Sequence, residues 1–336
     1  MAEDEEDAQP TEPRAPRKRT RSESDPLVGK LVLDRYLVEE CIGAGTMGTV
    51  YRGNDAKLER TVAIKVLHDH LVDDASMLAR FRREAKVAGR LQHPNVISIL
   101  DYGQAPDGRH LMVLEFAKGP TLTEMIAIFP ARRRIIQLVG QILRGLDHAH
   151  AVGLIHRDLK PDNIVVEIAD DGTELPRIVD FGIAILRSPE DASDISRLTA
   201  SGVMMGTPMY MAPEQAQLET YDHRADLFAL GVIVYEMLAG KPPFDGTAME
   251  IAVANISRDP PPIAKRAPTR EVDPLLEAFA CKLMARRLEQ RFASAAAALE
   301  VLELLDSDPA EARLRFGQID VDKALAMISL PPIGRR

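Results

Sequence analysis

The most specific chemical signal in this sequence is the stretch LIHRDLKPDNIVV at residues 154–166. It brings a carboxylate (Asp158), two cations (Arg157 and Lys160) and a carboxamide (Asn163) into one short loop. A carboxylate suits the removal of a hydroxyl proton, a lysine suits phosphate charge, and an amide oxygen suits Mg²⁺. The loop therefore predicts chemistry between a phosphate and a hydroxyl group.

Two side chains elsewhere in the chain would complete such a site. Asp180, in RIVDFGIA, follows a strand-like run and is a second candidate oxygen ligand for Mg²⁺. Lys65 lies in the apolar strand TVAIKVL, where an unpaired charge would be costly, and Glu84 in the helical run RFRREAKVAGRL is its expected partner. A Lys65–Glu84 pair would direct the ammonium group toward phosphate oxygens, although a purely structural ion pair fits the same residues.

The glycine-rich stretch CIGAGTMGTVYRG at residues 41–53 fits three nucleotide-binding patterns. These are a dinucleotide fingerprint, half of a phosphate-binding loop, and a glycine-rich hairpin that covers phosphates. Thr49, Val50 and Tyr51 favour a strand after Gly48, whereas a dinucleotide site needs a helix there and a phosphate loop needs Lys followed by Ser or Thr. Two interpretations of this stretch stay open, a hairpin that covers phosphates and an ordinary flexible hairpin.

The elements that must position these residues fall into two parts. Five strand-like runs and one amphipathic helix at 76–91 predict a small β-rich lobe up to about residue 115. Beyond it, a long helical stretch interrupted by Pro130 and further helical patterns at 224–239, 247–257, 272–286 and 293–304 surround one hairpin. The fold class is therefore predicted as α+β with a larger, mainly helical second lobe.

Composition and charge limit the remaining possibilities. Residues 1–30 are predicted to be a charged, disordered tail, residues 31–304 the folded domain, and residues 305–336 an extension without a structural prediction. The net charge of -9 argues against nucleic acid as a partner. No apolar run reaches the length of about 18 residues needed for a membrane span. Two cysteines and an acidic N-terminus without an apolar signal segment favour a cytoplasmic location.

Taken together, the motifs resemble those of the eukaryotic-like serine/threonine protein kinases found in bacteria, over about residues 34–304. The motifs are Gly43-x-Gly45-x-x-Gly48-x-Val50, Val62-Ala-Ile-Lys65, Glu84, His156-Arg-Asp158-Leu-Lys160-Pro-Asp-Asn163, Asp180-Phe-Gly182 and Ala212-Pro-Glu214. The resemblance implies the two-lobed kinase fold, with lobes at about 31–115 and 116–304. It also implies transfer of the γ-phosphate of ATP to Ser/Thr hydroxyls of protein substrates, with Mg²⁺ as metal.

The resemblance also assigns roles to individual residues. Asp158, Lys160, Lys65 and Glu84 would be catalytic, and Asn163 and Asp180 would hold the metal. In the ATP site, Leu114 would be the gatekeeper, and the backbone of Glu115 and Ala117 would form the hinge that binds adenine. The full predicted ATP site comprises Ile42, Gly43, Ala44, Gly45, Thr46, Met47, Gly48, Val50, Ala63, Lys65, Leu114, Glu115, Ala117 and Val165. Asp226 and a Glu214–Arg291 pair would brace the helical lobe.

Regulation and the main alternative follow from the same resemblance. Thr199 and Ser201 are the candidate autophosphorylation sites, with Arg157 as a partner for phosphate, and a homodimer would allow one copy to modify the other. The segment RRLEQR before Arg291 departs from the family's Asp-Pro, which affects local geometry only. A nucleotide-binding pseudokinase scaffold is the alternative function, which intact Lys65, Asp158, Asn163 and Asp180 disfavour. The protein substrate, activating signal and oligomeric state are not readable from the sequence.

Overall fold

A computed structural model describes residues 25–45, 48–68, 85–105, 107–126, 131–181, 208–217 and 219–316, excluding the side chains of residues 313–316. The first lobe is an antiparallel sheet of six strands in the order β1-β2-β3-β4-β6-β5. The strands are β1 (Leu31–Val32), β2 (Tyr36–Ala44), β3 (Gly48–Asp55), β4 (Arg60–Leu67), β5 (Ile99–Gln104) and β6 (His110–Glu115). The predicted count of five strands was one too low, because the two-residue β1 is too short to show an alternating pattern.

The two faces of this sheet have different tasks. On one face, Val62, Ile64 and Val66 of β4 pack with apolar side chains from β2, β3 and β6 in a closed hydrophobic core. Because successive side chains of a strand point to opposite faces, Ala63 and Lys65 lie on the other face. The alternation in TVAIKVL thus separates a core face from a face that is available for chemistry.

The predicted tail boundary at residue 30 was too late. Leu27 is fully buried in the core of the first lobe, and the Tyr51 hydroxyl donates to the Asp25 carboxylate at 2.9 Å. Gly29 also donates its amide to the Val38 carbonyl at 2.8 Å. The sequence pattern missed this because a single buried leucine beside Pro26 and Gly29 has no periodicity. Residues 1–24 lie outside the described part of the chain.

The helix predicted at 76–91 is described only at its end, where residues 85–88 are helical. Ala85 and Ala88 are buried, and Leu91 packs in the hydrophobic core that belongs mainly to the second lobe. Residues 69–84, which include Glu84, lie outside the described part of the chain.

The second lobe is mainly helical and has one large hydrophobic core. Its helices are α1 (Leu122–Ile126), α2 (Arg132–Ala151), α3 (Pro213–Ala216), α4 (Arg224–Ala239), α5 (Ala248–Ser257), α6 (Ile263–Arg266), α7 (Pro274–Leu283), α8 (Ala295–Ser307) and α9 (Pro309–Phe316). Helix α4 lies at its centre, since nearly all of its side chains are buried. A helix with apolar side chains on all sides is typical of a protein interior. The α+β prediction with a larger helical lobe is confirmed.

A two-stranded hairpin lies at the border between the lobes. It consists of β7 (Ile164–Ile168) and β8 (Glu174–Ile178), as the sequence predicted. Two single backbone bridges join the hairpin to the rest of the chain. One links Ile178 to Val96, before β5, and the other links Val165 to Thr121, before α1. The hairpin therefore fixes the loop before it and Asp180 after it relative to the first lobe.

The chain remains ordered beyond the predicted end at residue 304. Helix α8 continues to Ser307, and α9 adds a fully buried Ala312 to the helical core. Among the residues that the structure describes, no helix combines the length and the apolar character that a bilayer crossing requires.

Candidate functional site

The face of the first lobe that points toward the hairpin presents the residues predicted to enclose adenine. Val50 lies directly opposite Lys65, and Ala63 lies opposite Leu114, so these four side chains share one face of the sheet. Leu114 is buried, whereas Ile42 at the strand edge is 48% exposed. Val165 of β7 is half-buried on the other lobe, between the buried Ile164 and Val166. Four of the predicted residues therefore share one face of the first lobe, and that they enclose adenine together with Val165 stays a prediction.

The glycine-rich stretch is the hairpin between β2 and β3. Ala44 pairs with Thr49 and Gly43 with Val50, and the Gly45 amide donates to the Gly48 carbonyl at 2.9 Å. A strand, not a helix, follows Gly48, so the dinucleotide and phosphate-loop interpretations are excluded. Thr46 and Met47, at the tip, lie outside the described residues.

Lys65 connects the two lobes. Its side chain is buried, and its Nζ lies 2.8 Å from Oδ2 of Asp180. Both residues were predicted for the site from motifs that are far apart in the sequence. Because Glu84 lies outside the described residues, the predicted Lys65–Glu84 pair stays a prediction. The ammonium group of Lys65 is nonetheless held where β4 faces the end of the hairpin.

The loop that carries Asp158 is fixed by the fully buried carboxylate of Asp226 on α4. Asp226 accepts the backbone amides of His156 and Arg157, and the ring of His150, each at 2.8 Å. Burial by itself raises the pKa of Asp226, but the hydrogen bonds and charges of His150 and His156 outweigh it and lower that pKa. The predicted bracing role of Asp226 is confirmed.

Two residues of the site have strained backbones. Arg157 and Asp180 have φ angles of 65° and 70°, in the left-handed region that costs a residue with a side chain roughly 1–3 kcal/mol. Both lie next to charged groups that were predicted to do chemistry. His156 helps to hold this arrangement, because its ring is 2.8 Å from the Val179 carbonyl and packs edge-on against Phe181. Sequence reasoning gave His156 no role.

Asp158 and Lys160 lie side by side at the mouth of the cleft. Lys160 Nζ is 3.3 Å from Asp158 Oδ2, and their side chains are 23% and 27% exposed respectively. Partial exposure leaves both groups accessible to a molecule that approaches from solvent. A carboxylate and an ammonium group at this distance can accept a proton and stabilise an anion in one place.

Asn163 and Asp180 are the two predicted metal ligands, and their backbones lie close together. The Val179 amide donates to the Asn163 carbonyl at 2.9 Å, which places Asp180 beside Asn163. The Asn163 Nδ2 donates to the Asp158 carbonyl at 2.9 Å, so the carboxamide oxygen Oδ1 is the atom that could bind a metal. One carboxylate and one carboxamide oxygen match the few protein ligands that Mg²⁺ takes beside phosphate. The donor set therefore fits this metal.

An ion-pair network behind the cleft holds the connection between the lobes, and sequence reasoning missed it. Arg177 of β8 contacts the carboxylates of Glu115, at 2.5 Å, and Glu167, at 3.0 Å. Glu167 also accepts the Lys118 amide at 3.0 Å. The Glu115 amide donates to the Ser98 carbonyl at 3.0 Å, which adds a backbone contact to this network. The apolar residues Pro176 and Ile178 on either side of Arg177, both buried, could have predicted that Arg177 lies on the opposite face of β8.

The predicted Glu214–Arg291 pair is confirmed as a buried, bidentate contact. Its two hydrogen bonds are 2.6 and 2.8 Å long, and both residues are almost inaccessible to solvent. Arg291 also donates to the carbonyls of Ala285, Arg224 and Arg286. A short 3₁₀ turn (Leu288–Gln290) precedes it, in place of the family's Asp-Pro. Arg291 therefore keeps its place despite this departure.

Two further predictions fall on Thr199 and Ser201. Both residues lie outside the described part of the chain, as does the whole range 182–207.

Comparison with protein families gives one match that covers most of the chain. Residues 36–303 match the family described as protein kinase domain. The chain is 39% identical over 317 residues to the serine/threonine-protein kinase pkn3 of Myxococcus xanthus, covering 94% of this chain and 57% of that protein. It is 36% identical over 269 residues to the serine/threonine-protein kinase PknB of Mycolicibacterium smegmatis, covering 78% and 41%. The chain thus spans 57% of the length of the first relative and 41% of the length of the second.

Solved structures give the same result for the fold. The kinase domain of PknI from Mycobacterium tuberculosis superimposes with a TM-score of 0.62 and 26% identity, covering 82% of this chain and 97% of that one. A crystal structure of Rad53 residues 1–466 in complex with AMP-PNP superimposes with a TM-score of 0.63 and 26% identity, covering 78% and 63%. The residues described for the site lie within residues 36–303, which match the protein kinase domain family.

Proposed function

Because this chain belongs to the protein kinase domain family, in its bacterial serine/threonine branch, we propose that it transfers the γ-phosphate of ATP to Ser/Thr hydroxyls of protein substrates. The observation that carries the proposal is the contact between Lys65 and Asp180, which joins the predicted phosphate-binding lysine to a predicted metal ligand at 2.8 Å. The similarity to a Rad53 structure that contains AMP-PNP supports ATP as the nucleotide.

Each charged group has one task in the proposed reaction. Lys65 binds phosphate oxygens of ATP, and the apolar side chains of the cleft hold adenine against the Glu115 and Ala117 backbone. Asp158 accepts the proton of the substrate hydroxyl while the hydroxyl oxygen bonds to the γ-phosphorus. At the same time, the bond between the γ-phosphorus and the bridging oxygen of the β-phosphate breaks, and ADP leaves. Lys160 stabilises the charge on the transferring group. Asn163 and Asp180 would hold Mg²⁺, which when bound supplies electrostatic stabilisation of the phosphates.

The test is transfer of radiolabelled γ-phosphate to a generic basic acceptor protein. We expect the wild-type chain to label the acceptor with Mg²⁺ present, and labelling to stop when Mg²⁺ is chelated. Asp180→Asn should label at background level, because it removes the negative charge that would bind Mg²⁺ and that pairs with Lys65. If the wild-type chain binds ATP but leaves the acceptor unlabelled, the chain is a nucleotide-binding scaffold instead.

Two glycines of the hairpin should respond differently to alanine. A Cβ at Gly48 would lie 2.3 Å from the Val66 carbonyl oxygen, whereas a Cβ at Gly43 meets nothing within 4 Å. Gly43 pairs with Val50 and so shares its cleft face. We expect Gly48→Ala to cost about 1–3 kcal/mol of stability through overpacking. Gly43→Ala should keep the melting temperature and raise the KM for ATP roughly tenfold through steric intrusion.

Thermal melting and steady-state kinetics on both variants check this contrast. An unchanged KM for ATP in Gly43→Ala would show that the nucleotide does not lie beneath the hairpin. Equal melting temperatures for Gly48→Ala and the wild type would show that the strand can move away from the new methyl group.

Autophosphorylation at Thr199 and Ser201, between two copies of the chain, is part of the proposal and rests on the sequence alone.

A further inference from the structure

The carboxamide of Gln215 on α3 joins two segments that are far apart in the sequence. Its Oε1 accepts the Ala212 amide at 3.1 Å, and its Nε2 donates to the Arg157 carbonyl at 3.1 Å. Gln215 is half-buried, and both ends of its carboxamide are used. Gln215 therefore links α3 to the loop of Asp158, in addition to accepting the backbone amide at the start of α3.

The carbonyl to which Gln215 donates belongs to Arg157, whose backbone is strained. Arg157 donates its amide to Asp226 at 2.8 Å from one side, and its carbonyl accepts Gln215 from the other. A φ angle of 65° is unfavourable for arginine, so it persists only where surrounding contacts hold it. Because the Arg157 carbonyl belongs to the peptide bond that leads into Asp158, its orientation contributes to the placement of the Asp158 backbone.

The other end of the link is also firmly attached. Asn255 of α5 is buried and donates to the carbonyls of Pro208 and Met211 at 3.2 and 3.1 Å. The Tyr210 hydroxyl donates to Glu236 of α4 at 2.7 Å. Residues 208–216 thus form a segment that is anchored to α4 and α5, and Gln215 is its described side-chain contact with the Asp158 loop.

We infer that Gln215 is a positioning residue for Asp158, which transmits the placement of segment 208–216 to the base of the reaction. This inference rests on the proposed kinase function. Gln215 contacts neither substrate nor nucleotide in this role. It holds the Arg157 carbonyl, and a change in segment 208–216 would shift the Asp158 carboxylate through the hydrogen bond from Gln215 to that carbonyl.

The test uses Gln215→Glu, which keeps an oxygen for the Ala212 amide but replaces the donor to Arg157 with a carboxylate. We expect kcat to fall by about 10- to 100-fold, the effect of misplacing a catalytic group by about 1 Å. The KM values for ATP and for the acceptor protein should stay at the wild-type level, since the cleft and the anchors of segment 208–216 are intact. Gln215→Met, which is uncharged and similar in size, should show the same loss.

The matched control is Gln217→Glu, because Gln217 is exposed and its described side-chain hydrogen bond runs from Nε2 to the Pro213 carbonyl of α3, at 3.2 Å. It should keep kcat, and binding of a fluorescent ATP analogue should be equal in all variants. A raised KM for the acceptor with unchanged kcat in both Gln215 variants would reduce Gln215 to a structural support of the segment. Wild-type kcat in both would overturn the inference. An inactive wild-type chain would refute the proposed function instead.

Discussion

Replacing Asp158 with asparagine is expected to lower kcat by about 10²- to 10⁴-fold, the usual contribution of a general base. Asparagine has the same shape and still offers an oxygen to Lys160, which lies 3.3 Å from the carboxylate. The backbone contact from Asn163 to the Asp158 carbonyl does not involve the side chain and should persist. What the variant loses is the ability to take a proton.

The measurement is single-turnover phosphoryl transfer at saturating ATP and Mg²⁺, with nucleotide affinity determined by titration. Affinity should be unchanged, because Asp158 is assigned to the hydroxyl and not to ATP. The control is Asp162→Asn, an exposed carboxylate in the adjacent 3₁₀ turn that has no assigned role. Transfer by Asp158→Asn within about threefold of the wild type would remove Asp158 as the base, since loss of a base costs far more.

The largest expected effect on stability comes from Arg291→Met. The change leaves the Glu214 carboxylate buried without its bidentate partner, and breaking a buried ion pair in this way costs about 3–5 kcal/mol. It also removes the donors to the carbonyls of Ala285 and Arg224. For a domain of this size the loss corresponds to a fall in melting temperature on the order of 10 °C.

Arg286→Met is the matched control, because Arg286 pairs with Asp259 in solvent, at side-chain exposures of 40% and 78%. An exposed pair contributes about 0–1 kcal/mol, so this variant should melt close to the wild type. The double variant Glu214→Leu with Arg291→Met should recover part of the loss, because no unpaired charge stays buried. Equal melting temperatures for both single arginine variants would show that burial of the Glu214–Arg291 pair contributes nothing.

The sequence predicted the parts of this molecule that depend on local patterns. Helix α4 was predicted at the bounds that the structure shows, because its run of apolar residues ends at Gly240, which adopts a left-handed conformation and stops the helix. The alternation around Lys65 likewise gave the correct face. The motifs supplied Asp158, Asn163 and Asp180, and a backbone hydrogen bond joins Asn163 to Val179, the residue before Asp180.

The contacts that the sequence did not predict are all between distant segments. Arg177 pairs with Glu115 across the lobe border, and Gln215 reaches the Arg157 carbonyl, yet neither residue type nor spacing marks such a partner. The pairing of Lys65 with Asp180 was also absent from the prediction, which offered Glu84. Leu27 was assigned to a tail because one buried residue leaves no pattern. In each case the partner is chosen by the tertiary fold, which local periodicity does not encode.

The ion pair between Lys65 and Asp180 has a consequence for the order of folding. It joins residues 115 positions apart, whereas the strands of the first lobe and the helices of the second can form many contacts nearer in sequence. Contacts across long loops form late, because the entropy of closing the chain must be offset first. The proposed catalytic centre therefore assembles only after both lobes exist, and recovery of activity during refolding should lag behind recovery of helical and strand structure.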